Sequence, residues 1–224
     1  MDVATCYART RAELLALAAR LSAEDAMTPV PALPGWSVRD AYAHLAGVCA
    51  DLVDGNLDGL ATPPWTARQL AERTGRALPE IAEEWGRRGP EAEAWAGRVG
   101  DRVAIPLAVD CWQHQQDVLG ALGRRGERED ERVTYLAGRT VRALERRFAE
   151  HDTPELRLVC AGNESVLGSG LPSATLRIEG YELLRVFGGR RSPAQIAAAD
   201  WEGDPAPYLD QLHLFDLPLV DLVD

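Results

Sequence analysis

Residues 107–122 read LAVDCWQHQQDVLGAL, and within them Asp110 and His114 stand four apart. On a helix that spacing makes the two side chains neighbours on one face, with about 6 Å between Cβ atoms. A carboxylate and an imidazole so placed can grip one metal ion together. A helical wheel puts Asp110, His114 and Asp117 on the side that also carries Val103, Leu107 and Ala121. The polar group is therefore expected to face packed surface, where carboxylates and imidazoles need partners. A hydrogen-bonded core cluster would supply them, and so would a metal. Spacing alone leaves both readings open, and the second needs a third ligand.

That ligand has a candidate in residues 31–55, PALPGWSVRDAYAHLAGVCADLVDG. Ser37 with Asp40 three residues on reads as an N-cap and capping box, and Trp36 just before it as a hydrophobic staple. The helix predicted from there carries Val38, Ala41, Tyr42, Leu45, Val48, Cys49 and Leu52 on one stripe and runs out at Asp54-Gly55. His44 lies at the stripe's edge, where a side chain can reach across a groove between helices. Asp40 also precedes a histidine by four, but capping and the helix dipole account for it. His44 is kept as the third candidate and Asp40 is set aside.

The chain of 224 residues can form one large domain or two small ones. Its hydrophobic content of 46% and charged content of 26% are those of an ordinary globular protein. No apolar run approaches the roughly 20 residues that span a bilayer, so no membrane association is expected. The first residues are acidic and lead into an amphipathic helix, not a signal peptide; a cytoplasmic protein is expected. Cys6, Cys49, Cys111 and Cys160 lack CxxC spacing and read as free thiols. With a net charge of −11 and no basic stripe, nucleic-acid binding is not expected. All 24 basic residues are arginine, which excludes Schiff-base or lysine-base chemistry.

Along the chain, residues 5–22 carry a helical stripe, and a Pro-rich linker leads to the His44 helix. A loop holding Pro63-Pro64-Trp65 precedes residues 67–95, read as one long helix or as two broken near Pro79 and Gly89-Pro90. Gly100-Asp101 opens a fourth helix to about Leu122, with Pro106 tolerated in its first turns. These four helices suggest an up-down bundle. Residues 123–130 are polar and charged and read as a boundary, and a fifth helix is predicted over 131–150. Residues 156–160 and 174–178 alternate as strands, with 163–173 as the loop between them. Residues 183–187 and 193–199 read as helices, and 201–205 as a turn before another short helix. The expected fold is mainly α with a small α+β part: a bundle over 1–126 and a smaller α+β domain over 127–224.

Two stretches, LPGWSVRDAYAHLAG around His44 and AVDCWQHQQDVLGALG around His114, resemble the DinB-like four-helix metalloproteins, specifically the mycothiol-dependent maleylpyruvate isomerase family. The segment TLRIEGYELLRVFGGRRSPAQIAAADWEGDP resembles that family's small C-terminal α+β domain. The resemblance implies a divalent metal, zinc by type, held by His44, Asp110 and His114. The family's usual acid is Glu; Asp110 is shorter by one methylene. Three protein ligands leave an open position, as in catalytic zinc sites, and a thiol entering it would be deprotonated. The implied function is attack by a low-molecular-weight thiol, mycothiol, on a small electrophilic substrate, by isomerisation or S-transfer. The alternative is a catalytically silent DinB-like module that binds a small molecule or protein partner. A di-metal carboxylate bundle would need Glu-x-x-His pairs and four carboxylates, whereas one inward acid-His pair is evident here.

Other residues carry smaller expectations. Asp117 reads as a partner that orients an imidazole or as a solvated helix residue. Arg190 and Arg191, after Gly188-Gly189 at a helix end, are candidates to bind the thiol cosubstrate, since arginine offers a planar fork of donors. Arg190 is preferred, with a catalytic part in orienting the thiol from a second domain that acts as a lid. Cys111 reads as a core thiol, and His151 and His213 as structural or exposed. Trp36, Trp65 and Trp112 read as core residues, with Trp65 able to line a cleft. A monomer or homodimer is expected.

Overall fold

Asp2, Ser37 and Asp130 each turn a side-chain oxygen onto backbone N–H groups of the turn that follows, and each opens a helix of sixteen residues or more. Caps of this kind contribute about 1 kcal/mol apiece. The computed structural model describes residues 1–223, which fall into two units, Met1–Gly126 and Glu127–Val223. The fold is mainly α, with a small α+β part.

The first unit holds α1 (Val3–Ala18), α2 (Ala23–Ala26), α3 (Val38–Asp54), α4 (Pro63–Ala71), α5 (Leu78–Val99) and α6 (Asp101–Ala121). The four long helices α1, α3, α5 and α6 pack on one another, and the short α4 lies against α3. The capping box of Ser37 and Asp40 forms as its sequence requires, and Gly55, at φ 78°, closes α3 in the left-handed conformation. Large side chains fill the interior and pair their polar tips. Trp85 Nε1 donates to the Tyr7 hydroxyl at 2.9 Å, and the Tyr42 hydroxyl donates to the Leu14 carbonyl at 2.7 Å. Cys6, Cys49 and Cys111 are buried free thiols in this core.

Three expectations for this unit need correction. Pro63-Pro64-Trp65 form the first turn of α4, where proline's missing N–H costs nothing. Gly89-Pro90 does not break a helix: α5 runs through it. A Cβ on Gly89 would come within 2.3 Å of the Arg11 guanidinium carbon. The glycine thus lets Arg11 lie across α5 and reach Glu93 at 2.5 Å. The interruption falls instead at residues 72–77, just ahead of Pro79. Val103 lies outside the buried stripe of α6, which at that end runs through Ala104, Leu107, Ala108 and Cys111.

The second unit contains α7 (Glu131–Glu150), β1 (Pro154–Cys160), β2 (Asn163–Leu167), β3 (Ser169–Ile178), α8 (Gly180–Phe187), α9 (Pro193–Ala197) and β4 (Asp200–Gly203), then a 3₁₀ turn at Leu209–Gln211. The sheet order is β2-β1-β3-β4: β1 pairs parallel with β3, and the two edge strands pair antiparallel. Alternation along β1 turns Leu156, Leu158 and Cys160 inward, against Leu144 and Phe148 of α7 and Leu183 of α8. Phe148, Tyr208 and Trp201 stack in a column with centroids about 6 Å apart, 6.2 Å and 5.9 Å. Residues 163–173 and 201–205 are thus not simply loop and turn. They contribute β2 and β4 and the first residues of β3. Ala161-Gly162, both at positive φ, make the tight β1–β2 turn. Gly168 permits an approach that a side chain would block, since a Cβ there would lie 2.4 Å from the Thr153 carbonyl oxygen.

Among the described residues no helix is long and apolar enough to cross a membrane.

Candidate metal centre

His44 leaves the middle of α3, and Asp110 and His114 leave adjacent turns of α6. Their side chains converge, with one ligand atom from each lying within 4.8 Å of the others. No other group of three or more such residues is assembled among the described residues. His44 Nε2 lies 3.5 Å from Asp110 Oδ2, and His114 Nε2 lies 3.4 Å from Asp110 Oδ1. The imidazoles are perpendicular, 5.0 Å between centroids, and both are buried.

The opposite ring nitrogens are held. His114 Nδ1 meets Asp117 Oδ2 at 3.1 Å, and Asp117 is buried, so it orients the imidazole and is not solvated. A carboxylate accepts only, so Nδ1 donates, and Nε2, which faces Asp110, is the nitrogen left to ligate a cation once it carries no proton. His44 Nδ1 meets Gln69 Oε1 at 2.8 Å, and Gln69 Nε2 donates to Asp51 Oδ2 at 2.8 Å. Trp36 is half-buried over both imidazoles, at 5.3 Å from His44 and 6.1 Å from His114 between centroids. The residue read as a helix staple is also a wall of the site.

The electrostatics follow from this packing. Burial alone would raise the Asp110 carboxyl's pKa, but the imidazoles of His114 and His44 outweigh it and hold the carboxyl well below the usual range. Burial pulls His114 downward, and Asp110 and Asp117 reverse that, leaving it above the ordinary imidazole value. Three observations fit a tetrahedral divalent cation. Ligands at 2.0–2.2 Å from zinc in tetrahedral array stand about 3.4 Å apart, close to the two nitrogen–oxygen separations observed. The buried Asp110 Oδ2 has no hydrogen-bond partner. Two imidazoles and a carboxylate are a typical zinc donor set.

The remaining candidates are not among the three converging ligands. Asp40 is committed to the α3 capping box. Trp65 is buried and donates to the Asn56 carbonyl, and Trp112 is a core residue. His151 is exposed, and His213 Nδ1 donates to the Phe215 carbonyl. Arg190 and Arg191 follow α8 in the second unit. Arg190 Nη1 donates to the Gly188 carbonyl at 2.5 Å. The buried Arg191 holds Glu182 through Nε and Nη2, at 2.7 and 3.1 Å, and the Arg190 carbonyl through Nη1. Sequence reasoning missed Gln69 altogether. Its only signal is a position one turn past Trp65, which carries no chemical signature.

A helical bundle with a His–Asp–His cluster between two of its helices, followed by a small α+β unit, defines the structural class of the chain. Within that class the chain belongs to the family described as the mycothiol maleylpyruvate isomerase N-terminal domain, whose model matches residues 7–119, just over half of the chain. The crystal structure of the mycothiol-dependent maleylpyruvate isomerase superposes with a TM-score of 0.52 at 12% identity, covering 84% of this chain and 88% of that one. A crystallised histidine-to-alanine mutant of that isomerase gives 0.51 at 11% identity, with the same coverage. At these identities the likeness bears on the fold. No curated protein sequence matches the chain.

Proposed function

We propose that this protein is a metal-dependent enzyme that uses a low-molecular-weight thiol, mycothiol, as nucleophile toward a small electrophilic substrate, by isomerisation or S-transfer. The observation that carries the reading is the convergence of the His44 and His114 Nε2 atoms on the Asp110 carboxylate, one oxygen of which is buried without a hydrogen bond. The shorter arm of Asp110 does not argue against it, because its two oxygens reach both imidazoles. Family membership supports mycothiol as the thiol.

His44, Asp110 and His114 would hold the cation, zinc by donor set. When bound, such an ion lowers the pKa of a thiol that enters its open position. Asp117 and Gln69 keep the imidazole lone pairs aimed at one point, and Trp36 closes one side against water. For isomerisation, the thiolate sulfur adds to one carbon of a cis double bond conjugated to a carbonyl, and the electron pair moves onto the carbonyl oxygen. Rotation about the resulting single bond follows, and return of the pair expels the thiolate and leaves the trans product. In S-transfer the carbon–sulfur bond is kept and a leaving group departs.

Purified protein is expected to hold close to one divalent ion per chain by elemental analysis and to accelerate mycothiol-dependent isomerisation of maleylpyruvate or conjugation of an electrophile. A protein that binds no divalent ion at micromolar concentrations would overturn the reading. Arg190 is assigned to binding the thiol's oxygen-rich body. Arg190→Ala is expected to leave the metal content unchanged while raising the thiol's KM about tenfold, the loss of one charge-assisted hydrogen bond. An unchanged KM would remove Arg190 from the site.

A further inference from the structure

His44 can ligate a cation through Nε2 only if its proton sits on Nδ1. Its immediate partner there, the Gln69 amide, does not by itself decide this. An amide offers an oxygen that accepts and a nitrogen that donates, and rotating it by half a turn reverses what the imidazole sees. The next residue in the chain of contacts settles the direction. Asp51 is buried, and its Oδ2 lies 2.8 Å from Gln69 Nε2 while Oδ1 takes a hydrogen bond from Arg68 Nη2 at 3.0 Å. An ionised carboxylate only accepts, so Gln69 must present its NH₂ to Asp51 and its oxygen to His44.

We infer that Asp51 is a positioning residue which, acting through Gln69, sets the tautomer of His44 and so makes its Nε2 a ligand. The inference rests on the metal-site reading above but concerns residues that touch no metal. Gln69 is completely buried and reaches His44 only because α3 carries no side chain at Gly47, where a Cβ would lie 2.5 Å from Gln69 Cβ. A small residue at that position is therefore part of the same device. His114 has a direct carboxylate partner in Asp117. The two imidazoles are thus oriented by different means, and only the His44 arm passes through a group that can be turned around.

Asp51→Asn tests the direction of the relay with almost no change in shape, because the introduced amide can donate as well as accept and so permits the Gln69 amide to reverse. In metal-free, ¹⁵N-labelled protein at pH 9, long-range nitrogen–proton correlations report which nitrogen of each imidazole is protonated. Wild type is expected to show His44 protonated at Nδ1, against the opposing pull of Asp110 Oδ2, 3.5 Å from Nε2. In the variant the Nε2-protonated form should rise to a substantial fraction, while His114 stays unchanged as an internal control of folding. Zinc affinity, read by competition with a chromophoric chelator, should fall about 10- to 100-fold, the range for loss of a group that orients a ligand. An Asp51→Asn protein with an unaltered His44 tautomer and wild-type zinc affinity overturns the proposal. If Asp51→Asn does not fold, Gln69→Met removes both arms of the amide at similar volume and must give the same shift. Because the tautomer is read without metal, a wild-type protein that fails to bind zinc refutes the proposed function and leaves the relay to stand or fall on its own spectrum.

Discussion

Replacing His114 by alanine is expected to bring the zinc content of the purified protein from close to one ion per chain to background, and replacing His44 to do the same. In the proposed site each imidazole is one of three donors, and the remaining two would not close a tetrahedral site around a cation that prefers three protein ligands and an exchangeable one. Loss of an orienting group alone weakens such sites 10- to 100-fold, so loss of a ligand should exceed about a hundredfold. Thiol-dependent turnover should vanish with the metal. The helices should persist, because alanine is the best helix former and the core around Trp85, Tyr42 and Tyr7 does not use either ring. The cost to the fold is one lost buried hydrogen bond, to Asp117 Oδ2 or to Gln69 Oε1, worth about 1–3 kcal/mol. Elemental analysis, chelator competition and far-ultraviolet circular dichroism together check this. A His114→Ala protein that retains one tightly held ion with intact helices would exclude the three-ligand site.

Glu84→Gln should produce a large loss of stability for a substitution away from the centre that removes no buried carbon. Glu84 on α5 joins two arginines of the α4–α5 connection. Its Oε1 holds Arg73 Nη2 at 2.5 Å and its Oε2 holds Arg76. The Arg73 side chain is 4% exposed and that of Glu84 13%, so the substitution leaves an inadequately paired buried charge. Breaking one side of a buried pair costs about 3 kcal/mol or more, roughly 6–12 °C in Tm for a chain of this size. Arg39 of α3 clasps the same connection by donating to the carbonyls of Arg73 and Arg76. The loop is therefore tied to two long helices, and Gln69 sits just before it.

The pH dependence has a definite sign. Burial would raise the Glu84 pKa, but hydrogen bonds and charge from Arg73 and Arg76 outweigh it and leave the carboxyl below its ordinary 4.5. A group depressed in the folded state contributes stability that is full above its unfolded pKa and is lost as pH falls through the folded one. The difference in Tm between wild type and Glu84→Gln should hence be constant above about pH 6 and shrink as the pH drops below about 4.5. A difference that grows on acidification would contradict this account.

What the amino-acid sequence determines unaided is whatever depends on neighbours within a turn or two. The Ser37–Asp40 capping box, the glycine stop at Gly55, the pairing of Asp110 with His114 and the inward alternation of Leu156 and Leu158 are of this kind, because helix and strand periods convert sequence spacing directly into shared faces. His44 was legible at one remove, from its place on the apolar edge of a well-capped helix. The resemblance of the two helical motifs to one family turned three separate residues into one expected ligand set.

Tertiary structure decided the rest. The edge strands β2 and β4 are short and mostly exposed, so no alternation had to be written into residues 163–167 and 200–203, and their pairing depends on the central strands. Gly89-Pro90 looks like a break until Arg11, on a different helix, is seen to lie across it. Gln69 carries no local sign of its role, since its contact with His44 spans 25 residues and requires the absence of a side chain at Gly47. Asp51 reads as an ordinary helix acid on α3 until burial makes its inability to donate a hydrogen bond decisive. In each case the deciding quantity is a distance between segments remote in sequence, and only packing of the folded chain sets it.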